Sequence, residues 1–307
     1  MDKIDKAILR ELQYVSCRSS YRSIGKKIGL SPNGVKYRIE KLIETGVIIR
    51  FYVRPLTKEI MDMNNVLAFV ITDGTEDTSE FIAKIGDIPM IYYVSPLICT
   101  EGGAYLCYAE CFGNAMQVDL GVILRSMESV QKVELHTALN LAGGTTTDFS
   151  KLQLRVLRCL YDDPRMRISE IAKKTGIGTK TIRRVLREFG PRNAVFFGVR
   201  LNLSAGGLVD AWVRIFWDVK MTTVDELVHW LRDEFPDELW WFWVSTTDSI
   251  IIADFIVDNV EEIEQISRRI RKAPFVKSTS ALAASTGYPF VRLSEIKTRK
   301  MLEKVDL

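Results

Sequence analysis

The sequence predicts an α+β chain in which two winged helix-turn-helix domains alternate with two βαββαβ ferredoxin-like domains. Three observations predict it. Charge falls in four blocks: 12 basic and 5 acidic side chains in residues 1–56, 4 and 12 in 57–147, 13 and 5 in 148–204, 13 and 17 in 205–307. The basic blocks repeat at a shift of about 147 residues, with Ile24-Gly25-Lys26-Lys27-Ile28-Gly29-Leu30 over Ile171-Ala172-Lys173-Lys174-Thr175-Gly176-Ile177. The acidic blocks match more loosely, Pro89 over Pro236 and Val130 over Val276. Apolar periodicity is helical in the basic blocks and mixed in the acidic ones. The expected domains are therefore 1–56, 57–147, 148–204 and 205–307, a tandem duplication of a two-domain unit.

Composition bounds the function classes. A chain of 307 residues that is 47% hydrophobic and 26% charged carries enough apolar surface for several packed cores, which excludes a largely disordered or collagenous protein. Its long uncharged stretches, such as 278–291, contain Ser, Thr, Gly and Pro and fall short of the roughly 18 apolar residues of a bilayer span, so no membrane partner is expected. The opening Met1-Asp2-Lys3-Ile4-Asp5 carries acids where a signal peptide needs a basic patch, which points to the cytoplasm. Five cysteines without a C-x-x-C spacing read as reduced thiols. Cys107 and Cys111 lie on an expected strand, whose geometry does not bring positions i and i+4 to one ion, so neither metal nor cofactor is expected.

In the first basic unit, Ile4, Ile8, Leu9 and Leu12 recur at helical spacing, and Ile24 and Ile28 mark a second helix that stops at Gly29. Ser31-Pro32 supplies an N-cap and a first-turn proline for a third helix. Val35, Ile39 and Leu42 should face the core, leaving Asn33, Lys36, Tyr37 and Lys41 outward and Arg38 at the margin. After Gly46, Val47–Arg54 has strand composition, the wing, carrying Arg50 and Arg54. The second unit repeats the plan with a turn at Gly176-Ile177-Gly178-Thr179. There Ile182, Leu186 and Phe189 should face inward, and Lys180, Thr181, Arg183, Arg184 and Arg187 outward.

Such faces suit double-stranded DNA. Lysine and arginine meet phosphates and guanine edges, asparagine meets adenine, and helix N-termini offer amides to phosphate oxygens. The expected DNA contacts are Ser31, Asn33, Lys36, Tyr37, Arg38, Lys41, Thr179, Lys180, Thr181, Arg183, Arg184 and Arg187, with Arg50, Arg54, Arg192 and Arg200 supporting from the wings.

The acidic units read as strand 65–71, helix 79–85, strand 90–94, strand 104–112, helix 116–127 and strand 130–138. The copy runs through 211–217, 224–235, 239–244, 250–257, 260–271 and 275–283. Both helices on one face of an antiparallel sheet leave the other face apolar and in need of cover, by the equivalent sheet of the other half or of another chain. Trp240-Trp241-Phe242-Trp243 puts aromatics on both faces of one strand, so some belong at that interface. The tail beyond Tyr288-Pro289 reads as a basic helix, with Lys297, Arg299, Lys300 and Lys304.

Asp5-x-x-Ile8-Leu9-x-x-Leu12, then Gly29-Leu30-Ser31 with Val35, Arg38, Ile39, Leu42 and Gly46-Val47-Ile48, resemble the Lrp/AsnC (feast/famine) transcription regulators. The match is specific over residues 2–50 and holds at the level of architecture elsewhere. It implies a nucleoid-associated prokaryotic regulator, a βαββαβ effector-type domain after each winged helix, and self-association through the sheets. Family members usually carry one unit, so this chain resembles a linked pseudo-dimer with two non-identical reading heads. The family's effector turn has a Gly-Asp-x-Asp-like pattern, which neither Thr100–Tyr105 nor Ser245–Ser249 preserves. Glu101 and Asp248 are the residues there that would meet the ammonium group of a small-molecule effector such as an amino acid.

The sequence is not expected to be an enzyme, since it shows no Walker loop, G-x-G-x-x-G, H-E-x-x-H or G-x-S-x-G. Its two histidines, His136 on a strand and His229 on an amphipathic helix, read as packed or surface residues. Two alternatives remain open. The same architecture resembles the siroheme decarboxylases, and a winged-helix adaptor would bind protein instead of nucleic acid.

Overall fold

The computed structural model describes residues 1–98, 102–139, 148–190 and 194–307. The chain divides into two compact units, and each is assembled from both halves of the repeat. Residues 1–62, 142–206 and 294–307 form the first, and 63–141 with 207–293 the second. The four consecutive domains expected from patterning thus gather by type, heads with heads and sheets with sheets.

In the head unit, α1 (Lys3–Arg10) starts at Asp2, whose carboxylate accepts from Asp5 N while the Asp5 side chain takes Asp2 N. The helix runs on as a wider turn, Glu11–Val15. Ser20 caps α2 (Tyr21–Ile28), which ends at Gly29 with φ 75°. Ser31 caps α3 (Pro32–Glu44), with proline in its first turn. Gly25 lets α2 and α3 close: a Cβ there would lie 2.3 Å from the Leu30 carbonyl oxygen. β1 (Ile48–Pro55) and a single helical turn, α4 (Lys58–Met61), follow.

The second head repeats this after the strands of the first half have been laid down. Those are β2 (Met63–Thr72), α5 (Thr78–Gly86), β3 (Ile91–Leu97), β4 (Ala104–Phe112), α6 (Gly113–Ser126) and β5 (Val130–Ala138). Then come α7 (Lys151–Asp162), α8 (Ile168–Thr175), α9 (Thr179–Phe189) and β6 (Val195–Leu201). Gly176, φ 68°, ends α8 as Gly29 ends α2.

The strand expected as a wing is present, and its partner is its own copy. β1 and β6 pair antiparallel from Ile48↔Leu201 to Pro55↔Val195, a ribbon shared by the two heads. Neither strand forms a wing with its own head, which corrects that reading of Arg50, Arg54 and Arg200. The heads also exchange arginines at equivalent positions of the repeat. Arg18 donates to the Met166 carbonyl at 3.1 Å and Arg165 to the Cys17 carbonyl at 2.6 Å. The Cys17 N–H reaches the Phe197 carbonyl at 2.9 Å, and burial pushes the Cys17 thiol up to about 12.

The second half of the sheet unit is β7 (Val209–Trp217), α10 (Val224–Glu234), β8 (Leu239–Val244), β9 (Ile250–Val257), α11 (Val260–Arg271), β10 (Val276–Ala284) and β11 (Tyr288–Pro289). α12 (Leu293–Leu302) closes the chain. Two antiparallel sheets, β5-β2-β4-β3 and β10-β7-β9-β8, have the same strand order. They join at one edge through Leu97↔Ala284 and at the other through Ala138↔Ser245. Each packs its two helices on one face over its own core, centred on Ala68, Phe81 and Leu120 in one half and on Val213, Leu231 and Phe255 in the other. The remaining faces cover each other: Leu67, Phe69, Leu106 and Tyr108 meet Trp212, Ile250, Ile252 and Ala284. The expected interface is therefore formed within the chain. Trp243 lies in it, Phe242 packs against the core of its own half, and Trp241 is 42% exposed. No helix among the described residues is long and apolar enough to cross a membrane.

Candidate nucleic-acid interface

α3 buries Val35, Ile39 and Leu42, as its spacing requires, and this turns Asn33, Lys36, Tyr37 and Lys41 to solvent. Tyr37 is 66% exposed, an unusual position for an aromatic ring without a partner surface. Lys36 lies 3.6 Å from Glu40 one turn on, an exposed pair that is worth little and opens readily. Ser31 is exposed, but its hydroxyl already accepts from Gly34 N at 3.1 Å to cap the helix. Arg38 differs from its neighbours. Its Nη1 donates to Asp2 and Asp5 at 2.7 Å, and these hydrogen bonds, Asp5 first, raise its pKa still further. It ties α3 to the start of α1.

α9 buries Ile182, Val185 and Phe189, with Leu186 only half-buried. The inward row thus passes through Val185, where the spacing alone favoured Leu186. Thr179, Lys180, Arg183, Arg184 and Arg187 are exposed and Thr181 is half-buried. Arg184 donates to Glu188 at 2.7 Å, while no ion pair holds Lys180, Arg183 or Arg187 among the described residues. The second head therefore presents a more cationic face than the first.

The ribbon arginines are held differently. Glu295 of α12 accepts from Arg50 Nη2 at 2.7 Å and from Arg200 Nη2 at 3.2 Å. Leu302, at the other end of α12, is buried in the core of the second head. Arg54 is half-buried, with its guanidinium 5.7 Å from the centre of the Phe196 ring. Arg192 lies outside the described residues. Glu295 was not foreseen, because nothing local marks one acid in a basic tail as a shared acceptor.

The expected effector residues separate. Glu101 lies outside the described residues. Asp248 sits 3.6 Å from Nδ1 of His136, whose other neighbour is the Ser245 hydroxyl at 3.4 Å. Burial lowers the His136 pKa, opposed by Asp248 and Glu134. His229 is exposed, its Nδ1 2.7 Å from the Asp225 carbonyl. A separate cavity of 440 Å³ opens in the first half, lined by Thr75, Glu76, Glu80, Lys84, Met127 and Ser129 among others. Burial would raise Glu76, but hydrogen bonds from Thr72 and Tyr105, each 2.7 Å, outweigh it and hold the carboxylate low. Gly103 packs close against it: a Cβ there would fall 2.0 Å from Glu76 Oε1 and displace that carboxylate.

Residues 1–49 and 149–189 match the winged helix-turn-helix DNA-binding family. The chain is similar to an uncharacterized HTH-type transcriptional regulator of Pyrococcus abyssi, 31% identical over 98 residues that cover 31% of this chain and 63% of that protein. It is also similar to the HTH-type transcriptional regulator Ptr1 of Methanocaldococcus jannaschii, 30% identical over 94 residues, covering 30% and 63%. The chain thus spans about 63% of the length of these relatives. The crystal structure of the siroheme decarboxylase NirDL with an iron-uroporphyrin III analogue shares the fold over 98% of this chain and 99% of that one. Its TM-score is 0.56 and its identity 14%. The chain is an α+β protein with two segments that match the winged helix-turn-helix DNA-binding family.

Proposed function

We propose that the chain is a sequence-specific DNA-binding transcription regulator whose two heads read one asymmetric site. The observation that carries this reading is the pair of exposed cationic faces. Each lies on the second helix of a helix-turn-helix: Asn33, Lys36, Tyr37 and Lys41 on α3, and Lys180, Arg183 and Arg187 on α9. The ribbon β1–β6 links the heads, so both faces belong to one unit. The different side chains of α3 and α9 favour two different half-sites. The sheet unit serves assembly, and the 440 Å³ cavity beside Glu76 suits a small cationic or amine-bearing effector. The test is binding of a genome-selected fragment by the Arg183→Ala, Arg187→Ala variant. It should bind at least tenfold more weakly with an unchanged circular dichroism spectrum, because each lost contact is worth about 1–3 kcal/mol. Unchanged affinity removes the second head from the reading.

A second reading, a tetrapyrrole decarboxylase, is favoured by the full-length likeness to NirDL. That likeness is one of fold, and a polycarboxylate substrate asks for cationic side chains. The inter-sheet interface instead places Arg214 against Glu134 at 2.8 Å and Arg292 against Glu110 at 3.7 Å. Titration with iron uroporphyrin separates the readings: a saturable shift of the tetrapyrrole absorption band supports the decarboxylase.

A further inference from the structure

Every second residue of β7 faces the interface between the two sheets: Asp210, Trp212, Arg214 and Phe216. Asp254 of β9 lies on the same face, with Trp212 as its partner on one side and Trp241 on the other. Tyr108 comes across from β4, its ring centre 5.7 Å from that of Trp212 and 5.9 Å from that of Trp243. Trp241 and Trp243 meet edge to face at 6.1 Å. The result is a carboxyl pair ringed by aromatic faces.

Charge marks this pair off from the other acids of the interface. Glu110 is answered by Arg292, Glu134 by Arg214, and Asp248 by His136. Among the described residues no ion pair reaches Asp210 or Asp254. Asp254 is 7% exposed and its Oδ1 has no hydrogen-bond partner; the same holds for Oδ1 of Asp210. The two carboxyls hydrogen-bond each other and the indole of Trp212, a residue 3% exposed, meets Asp210, which leaves Oδ1 of each acid and the buried N–H donor Nε1 of Trp243 without partners. Buried polar groups without partners are costly, so several on one patch point to something that satisfies them. Aromatic faces and carboxylates attract cations, and indole N–H groups seek a neutral oxygen. Trp241, 42% exposed, and the half-buried Asp210 form a rim open to solvent.

We propose that Asp210 and Asp254, walled by Trp212, Trp241, Trp243 and Tyr108, bind an organic ammonium ion that bears a neutral oxygen acceptor, a cation of the amino-alcohol class. The ammonium group sits against the carboxyls and ring faces, and the oxygen accepts from an indole N–H. In the free protein, burial and the neighbouring Asp210 push Asp254 well above the carboxylate range, so the pair holds a proton that an ammonium ion replaces. This site is distinct from the cavity beside Glu76 and does not depend on the heads binding DNA.

The experiment uses the full chain and its tryptophan fluorescence, with calorimetry on the same samples. Choline chloride and tetramethylammonium chloride are titrated at constant ionic strength against sodium chloride, and 3,3-dimethyl-1-butanol serves as the uncharged counterpart of choline. Saturable binding of choline, tighter than that of tetramethylammonium and absent for the alcohol, is the expected result. Trp241→Ala, at the exposed rim, should weaken choline binding on the order of tenfold with the fold intact. Asp254→Asn should abolish it. Three outcomes overturn the proposal: no saturable binding of either cation, equal binding of the neutral alcohol, or unaltered affinity in Trp241→Ala.

Discussion

At the scale of single residues, three positions carry most of the testable consequence. Gly25 is fixed by a close approach, since any side chain meets the Leu30 carbonyl at the turn between α2 and α3. Gly25→Ala should lower the stability of the heads by about 1–3 kcal/mol, read as a shift in the urea midpoint. Glu295 takes two arginines with its side chain 19% exposed. Glu295→Gln leaves Arg50 and Arg200 with a weaker acceptor, so hydrogen exchange over 294–307 should quicken while the sheet unit keeps its protection. His136 is the third. Burial lowers its folded pKa below the ordinary 6.5, so the unfolded chain takes up the proton first as pH falls. Its contribution is present above about pH 6.5 and is lost as pH drops from there toward the folded value. His136→Gln should flatten the acid limb of a stability curve over that window.

At the scale of elements, most of the secondary structure was legible because burial patterns are local. The strand at Val130–Ala138 and the second-half strands Leu239–Val244 and Ile250–Val257 follow directly from their composition. α3 begins where Ser31-Pro32 says it must. What stayed hidden was pairing at long range. Val47–Arg54 looks like any wing strand, and nothing near it announces a partner 147 residues away. The ribbon follows from two equivalent strands of the repeat meeting edge to edge, a property of the assembled unit. In α9 the buried row runs through Ile182, Val185 and Phe189 at i, i+3 and i+7, which leaves Leu186 at its margin. Among candidate site residues, the outward basic faces were legible from spacing. The Arg38 clasp, the Glu295 clamp and the Asp210/Asp254 pair were not, since each depends on what a distant element brings. The alternation along Val209–Trp217 did hold a signal, an acid at 210 in register with Trp212 on the face that the helices do not cover.

At the scale of the whole molecule, duplication turns a pairing between copies into pairing within one chain. Each sheet buries Leu67, Phe69, Leu106 and Tyr108, or Trp212, Ile250 and Ile252, only against its counterpart. A fragment ending at residue 139 should therefore dimerise or aggregate, and light scattering after size-exclusion chromatography reads this directly; a well-behaved monomer contradicts the account of the interface. Linking the halves also frees the two heads to diverge, and they have: Asn33, Lys36, Tyr37 and Lys41 face out on one, Lys180, Arg183 and Arg187 on the other. Binding through such faces releases counterions, so affinity must fall steeply as salt rises. The most direct test is selection of fragmented genomic DNA by the full chain at two salt concentrations, followed by sequencing. The account predicts enrichment of a discrete motif with two unlike halves, weaker at the higher salt. Recovery of no motif at either salt would contradict it.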